Sequence, residues 1–247
     1  MKIGIIGAGN IGATLARKFV AAGHTVKLAG SKGSEAVRDK AAEVGAVPVS
    51  AKDAVKDVAV IILSIPFAKI PDVAGVFVDV PADTVVIDTS NYYPMRDGNI
   101  ADVDGGKPES VWVSEHLGRP VVKAFNAVLA ETLTNGGTPS GTAHRIAIPV
   151  AADDAHAMAV ARGLVDETGF DALDAGDLAH SWHQQPGTPA YCTELTLPEL
   201  QVVLSAADKA RAPVDRDVLI KGFMETKTLL SHKQIVARNR EVTAAQG

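Results

Sequence analysis

The chain has 247 residues, 47% apolar and 21% charged, and a formal charge of −5. This is a globular composition at the upper end of what one hydrophobic core accommodates, and its mild acidity argues against nucleic acid or another polyanion as the partner. The lone cysteine, Cys192, excludes an internal disulfide framework and any cysteine-rich zinc site, and it fits a reducing compartment.

Lys2-Ile3-Gly4-Ile5-Ile6 reads as a buried strand that runs directly into Gly7-Ala8-Gly9-Asn10-Ile11-Gly12. Apolar residues at Leu15, Ala16, Phe19 and Val20 then mark a helix from Asn10 to Ala22. A glycine pattern alone is weak evidence, because glycines recur in turns for steric reasons. Between a strand and a helix each glycine has a task. Gly7 makes the tight turn, Gly9 lets backbone approach a pyrophosphate, and Gly12 lets helix and strand pack closely. The helix N-terminus offers its unpaired N–H groups and positive dipole end to the phosphates, so Gly7 to Gly12, with Ala8, Asn10 and Ile11, form the expected dinucleotide loop.

Thr25 to Ala29 makes the second strand, and the turn after it decides which dinucleotide binds. In NAD-selective folds an acidic residue about 20 positions past the glycines accepts the ribose 2′-hydroxyl. Here the chain reads Gly30-Ser31-Lys32-Gly33-Ser34, two hydroxyls and a cation without a carboxylate, a set suited to the 2′-phosphate of NADP. Ser31 and Lys32 are the expected 2′-phosphate ligands, with Arg38 in the next helix as an auxiliary; the competing reading is a plain polar turn.

Val58 to Ser64, Thr84 to Asp88 and Val121 to Phe125 are turn-bounded, β-branched runs, and Arg145 to Ala151 and Phe170 to Asp174 bracket a helix starting at Asp153-Asp154. This alternation describes an α/β fold with a Rossmann-type, doubly wound, mostly parallel sheet, which the last two strands are expected to extend. Asn135 to Gly141 is a flexible loop by composition. From Gly176 onward strand signals stop, and helix-spaced apolar residues over Pro198 to Arg211 and Val214 to Asn239 predict a small C-terminal helical cap with a long final helix. A disordered tail is expected after Arg238. The division is thus residues 1–175 for the NADP-binding domain and 176–247 for the cap. Phe223, Leu229, Leu230 and Ile235 would form a homodimer interface or close the core of one chain.

In an open parallel sheet the ligand lies beyond the carboxyl ends of the strands. Ser64-Ile65-Pro66, Asn91 and Asn126 come after strands on that edge, where they would bind the nicotinamide amide and cover its ring; ordinary turn chemistry is the alternative for both asparagines. The segment His180 to Tyr191 has more aromatic and polar groups than a linker needs. Trp182 and Tyr191 would either stack on a flat acceptor ring or close the helical cap. His180 and His183 lack a third ligand nearby in sequence, so no metal site is assigned.

Gly7-Ala8-Gly9-Asn10-Ile11-Gly12, Gly30-Ser31-Lys32, Val122-Lys123-Ala124-Phe125-Asn126 and Asp174-Ala175-Gly176-Asp177-Leu178 together resemble the NADP oxidoreductases dependent on coenzyme F420, a deazaflavin. The resemblance spans most of residues 1 to 180. The Lys-Ala-Phe-Asn stretch is also similar to the cytoplasmic reductase domain of six-transmembrane ferric reductases. What the resemblance implies is a reductase that passes hydride directly between NADPH and a flavin or deazaflavin; Asn126 on the nicotinamide edge and Trp182 in the 180–191 segment are the candidates for places near the acceptor. Such chemistry needs orientation and exclusion of water and no acid, base or metal, because the cofactors carry the reactivity.

Other classes weigh differently. A short-chain dehydrogenase would show Tyr-x-x-x-Lys, but four places after Tyr92, Tyr93 and Tyr191 stand Arg96, Asp97 and Leu195. A dehydrogenase of a small organic substrate and a non-catalytic NADP-binding redox sensor both stay open; the polar content of the nicotinamide edge favours an enzyme. With no charged leader and no apolar run of about 18 residues, a cytoplasmic protein acting on a small-molecule hydride acceptor is expected, with neither membrane nor nucleic acid as partner.

Overall fold

A computed structural model describes residues 1–226 and 229–244. Six parallel strands, β1 (Lys2–Ile6), β2 (Thr25–Ala29), β3 (Val47–Val49), β4 (Val60–Leu63), β5 (Val85–Asp88) and β6 (Val122–Lys123), form one sheet in the order β3-β2-β1-β4-β5-β6. Strand order reverses between β1 and β4, so the chain leaves these two neighbours in opposite directions and opens a crevice at their carboxyl ends. The fold is the doubly wound Rossmann type.

The period of two along each strand explains why both faces are covered. Ile3 and Ile5 of β1, Val60 and Ile62 of β4 and Ile87 of β5 point into one layer. There they meet Leu15, Ala16 and Phe19 of α1 (Asn10–Ala21) and Val37, Ala41 and Val44 of α2 (Ser34–Val44). Ile6, Ile61, Leu63 and Val86 point the other way, onto Phe67, Ile70, Phe77 and Trp112. That second layer is built from short helices α3 (Ala51–Ala54), α4 (Ile70–Val73), α5 (Pro94–Asp97) and α6 (Ala101–Asp104), and from α7 (Glu109–Leu117). Phe67 stacks on Trp112 with ring centroids 4.7 Å apart.

After α8 (Ala130–Asn135), strands β7 (Ala147–Val150) and β8 (Asp171–Asp174) flank α9 (Ala155–Glu167), which Asp154 caps by accepting the Ala157 N–H at 2.7 Å. The expectation that these strands extend the main sheet needs correction. They pair in parallel with each other and meet the six strands at one antiparallel bridge, Lys123 to Ala151, with N–H···O distances of 2.9 and 3.0 Å. The reason is local: β6 keeps only two paired residues before Phe125 turns left-handed at φ 60°, which ends the ladder. The loop expected to be flexible, 135–141, is tied down at Thr138, whose N–H donates to Gly169 O and whose carbonyl accepts from Arg145 Nε.

The cap contains α10 (Leu197–Ser205), α11 (Ala212–Glu225) and α12 (His232–Thr243). Where one long final helix was expected there are two, because Ser231 and Gln234 form a capping box that starts α12 anew. The expected disorder after Arg238 is also corrected: Asn239 and Thr243 are buried, and α12 runs on to Thr243. Residues 245–247 lie outside the described part. Phe223, Leu230 and Ile235 are partly buried, whereas Leu229 is fully exposed. Among the described residues no helix is long and apolar enough to cross a membrane.

Candidate functional site

The three glycines of the first turn separate by cause. A Cβ on Gly7, at φ 115°, would lie 2.0 Å from Ser64 O, and one on Gly12 would lie 1.9 Å from Gly7 O. Close packing of β1, β4 and α1 therefore demands both. Gly9 has a φ of −72° open to any residue, and a Cβ there would meet nothing within 4 Å. The protein's own packing does not require this glycine. In front of it α1 begins without a side-chain cap and without an acidic residue in its first turn, leaving N–H donors for an anion. An open approach at Gly9 beside a bare helix N-terminus is what a pyrophosphate needs, so the residues fit NADP at this end. At the end of β2, Ser31 and Lys32 are exposed ahead of α2, while Arg38 pairs with Glu35.

The loops after β1, β4, β5 and β6 meet at a cleft of about 380 Å³. Of the residues expected from sequence, Gly9, Asn10, Ile11, Ser64, Ile65, Pro66, Asn91 and Asn126 line it together. Gly7, Ala8 and Gly12 belong to the turn behind it, and Ser31 and Lys32 stand apart at the end of β2.

Asn126 acts inside the wall. Its Nδ2 donates to Asn91 Oδ1 at 3.0 Å and Gln184 O at 2.8 Å, and its Oδ1 accepts from Gln184 Nε2 at 2.9 Å. With the residue 2% exposed, both Nδ2 protons donated and Oδ1 accepting from Gln184, Asn126 orients Asn91 from within the wall. Asn91 Nδ2 returns a bond to Asn126 O at 3.0 Å. Gln184, the last residue of a 3₁₀ turn over Leu178–Gln184, supplies this support.

Below the asparagines, Lys123 is fully buried. Its Nζ donates to Ser90 O at 2.6 Å and lies 3.3 Å from Asp88 Oδ2 and 3.4 Å from Glu109 Oε2. Asp88 also accepts from Ser90 N–H, Ser90 Oγ and Ser110 Oγ at 2.9, 2.6 and 2.6 Å, so its charge is well satisfied. One cation faces two carboxylates, and Glu109 is the one without enough donors. Burial first, and the Asp88 charge also, push its pKa up to about 7 against the pull of Lys123. The cluster clamps the 88–91 turn to β6 and to α7.

Opposite this clamp the cleft is walled by Tyr93, Arg96, Tyr191 and Cys192. The two phenol oxygens are 2.5 Å apart, and the Arg96 guanidinium lies 5.1 Å from the Tyr93 ring centroid while donating to Asn91 O at 2.6 Å. Burial raises both phenol pKa values and pushes the Cys192 thiol up to about 12. Cys192 and Glu194 are left-handed at φ 56° and 52°, and α12 holds them there. Asn239 Nδ2 donates to Cys192 O at 3.1 Å, and Arg240 to Thr193 O at 2.7 Å and Glu194 O at 2.9 Å.

Trp182 is not brought to this cleft. Its ring stacks on His183 at 3.7 Å with Lys209 Nζ 5.8 Å away, beside a separate depression shared with Tyr92, Lys107 and Arg216. The same turn instead delivers Gln184, two residues on. The sequence assigns no site role to Tyr93, Arg96 or the clamp at Lys123, and places Gln184 only within the aromatic and polar segment 180–191. Tyr93 sits two residues past Asn91; nothing in the local pattern marks Arg96 or the buried amine of Lys123.

The sequence model of the family described as "NADP oxidoreductase coenzyme F420-dependent" matches residues 2–92. The protein YjhV of Escherichia coli (strain K12) is 33% identical over 104 residues, 42% of this chain and 76% of that one. The crystal structure of the hypothetical protein SMa0349 from Sinorhizobium meliloti is 30% identical with a TM-score of 0.69, covering 79% of this chain and 95% of that one. A candidate F420-dependent NADP-reductase from Arthrobacter sp. FB24 shares the fold at 19% identity and a TM-score of 0.58, over 72% of this chain and 86% of that one. The glycine turn, the open approach at Gly9 and these likenesses agree, and the chain belongs to the NADP oxidoreductase, coenzyme F420-dependent, family.

Proposed function

We propose that the protein transfers hydride between NADPH and a flavin or deazaflavin such as F420. The observation that carries this reading is the cleft of about 380 Å³, continuous with the open face of Gly9 and walled by apolar, amide and phenol groups. Its size falls within the roughly 300–1,000 Å³ of small-molecule sites. In this reading Gly7 to Gly12 and the bare end of α1 hold the pyrophosphate, and Ser31 and Lys32 hold the 2′-phosphate. Ile65 and Pro66 cover one face of the nicotinamide beside Ser64, and Asn91, held by Asn126, binds its carboxamide. Bound NADPH supplies the hydride; the chain orients the two rings and keeps water out. Residues 1–175 bind the dinucleotide, and 176–247 contribute Tyr191 and Cys192 to the acceptor wall.

A second reading, an NADP-dependent dehydrogenase of a small organic substrate, is favoured by the Tyr93–Tyr191 hydroxyl pair at the cleft. Exposed Met224 and Leu229 support pairing of two copies through the cap, which sedimentation would read. The deciding experiment mixes the protein anaerobically with NADPH and tracks its absorbance as FMN, FAD, riboflavin, F420 or ferric chelates are added. Oxidation dependent on a flavin or F420 supports the proposal. Tight NADPH binding without turnover on any of them overturns it.

A further inference from the structure

Hydride transfer to an organic acceptor leaves a proton to be found. When NADPH reduces a flavin, a deazaflavin, a carbonyl or an imine, two electrons travel with the hydride, one proton joins a heteroatom, and the sum is NADPH + A + H⁺ giving NADP⁺ + AH₂. We propose that Tyr93 and Tyr191 are the proton donor of the cleft, and that its acceptor is a two-electron carrier protonated on a heteroatom. A ferric chelate, which takes single electrons and no proton, falls outside that class. The inference rests on the NADPH hydride transfer proposed above, though not on which organic acceptor is used.

The groups lining the cleft leave few alternatives. Thr89 Oγ1 donates to Leu63 O at 3.0 Å, and Ser90 Oγ to Asp88 at 2.6 Å, so both hydroxyl protons are engaged. The Arg96 guanidinium does not give up a proton. The Cys192 thiol is a weak hydrogen-bond donor on a residue only 3% exposed, whereas Tyr93 and Tyr191 are only partly buried, so it presents no open proton to the cleft. The Ser64 hydroxyl is a far weaker acid than a phenol. Tyr93 and Tyr191 remain, and each borders the cleft.

Their mutual geometry suits the task. With the oxygens 2.5 Å apart, one phenol proton lies between the two and the second is free to be given away. Once it is given, the O–H bond of the donor breaks and an H–heteroatom bond forms on the acceptor. The phenolate left behind accepts the hydrogen bond of its partner and faces the Arg96 guanidinium, 5.1 Å from the Tyr93 ring. Water at the cleft mouth then returns the proton. Asp97, the nearest carboxylate in sequence, does not compete, since it accepts the Tyr93 N–H at 2.9 Å and pairs with Arg96.

The test uses Tyr93→Phe and Tyr191→Phe in the full chain, assayed by stopped flow with NADPH against F420, FMN, small ketones and cyclic imines, in H₂O and D₂O. Thermal unfolding and NADP⁺ binding, read from tryptophan fluorescence, check that each variant folds and keeps its dinucleotide. Binding of oxidised FMN or F420 to the NADP⁺-loaded protein gives a readout independent of turnover. Loss of a positioned acid lowers turnover about 10²–10⁴-fold. The expected result is that loss in both variants, a changed solvent isotope effect, weaker acceptor binding and an unaltered NADP⁺ dissociation constant. The same loss with ketones or imines as the working acceptors supports the proton donor while overturning the flavin reading. Full activity and an unchanged isotope effect in both variants assign the proton to solvent and overturn the inference alone. No turnover of wild type on any of these acceptors overturns both.

Discussion

Glu109→Gln isolates the cost of a third buried charge beside a lysine and an aspartate that already neutralise each other. The carboxyl lies 3.4 Å from Lys123 Nζ, and its pKa stands at about 7 against 4.5 for the ordinary group. The unfolded chain releases this proton near pH 4.5, whereas the folded chain keeps it until about pH 7. Between those values the folded state binds the extra proton, so stability is greatest at the acid end and falls as pH rises through 7. At about 1.4 kcal/mol per pH unit, the separation between 4.5 and about 7 amounts to about 3 kcal/mol lost by pH 8. A glutamine has the shape of the protonated acid and does not titrate. In urea unfolding, the variant should match wild type within about 1 kcal/mol at pH 5 and exceed it by about 3 kcal/mol at pH 8. A stability difference that is the same at both pH values would refute the reasoning, as would a variant less stable than wild type at pH 8. NADPH affinity should stay unchanged, because Lys123 still holds Ser90 O at 2.6 Å.

Four other substitutions probe the dinucleotide turn, the 2′-phosphate site and the cap. Gly9→Ala should leave the melting temperature within a degree or two, since its Cβ meets nothing within 4 Å, yet weaken NADPH binding at least tenfold; Gly7→Ala should cost about 3 kcal/mol or more of stability by collision with Ser64 O. Lys32→Ala should raise the dissociation constant of NADPH about tenfold and that of NADH hardly at all, measured by fluorescence titration, and equal effects would remove Lys32 from the 2′-phosphate site. Asn239→Ala strips the Cys192 carbonyl of its buried donor and should cost about 1–3 kcal/mol in unfolding experiments. It should also slow turnover while sparing NADP⁺ affinity, because the wall at 191–194 loosens and the glycine turn does not.

Much of the frame was legible along the chain because its signals are short-range. The continuous apolar runs within Lys2–Ile6 and Val60–Leu63, buried on both faces, the glycine turn at its strand-to-helix junction and the missing carboxylate after β2 are each written within a dozen residues. So was the ligand edge, since strand ends predict it once the order reverses. The short pairing of β6 was not, because a left-handed Phe125 leaves no trace in hydropathy. Nor was the fate of 176–247: periodicity marks helices but does not say that α12 reaches back to brace Cys192, 47 residues earlier.

The local chemistry of the amino acids by itself determined the Rossmann frame and the dinucleotide turn, and it is the ground for expecting a 2′-phosphate at Ser31 and Lys32, because backbone sterics and charge act over neighbouring residues. Only tertiary structure decided that Asn126 braces Asn91, that Trp182 faces elsewhere, and that Tyr93 and Tyr191 share a hydrogen bond across 98 positions of sequence. Those contacts depend on where the cap folds back over the sheet, and packing of the whole chain is what sets that position.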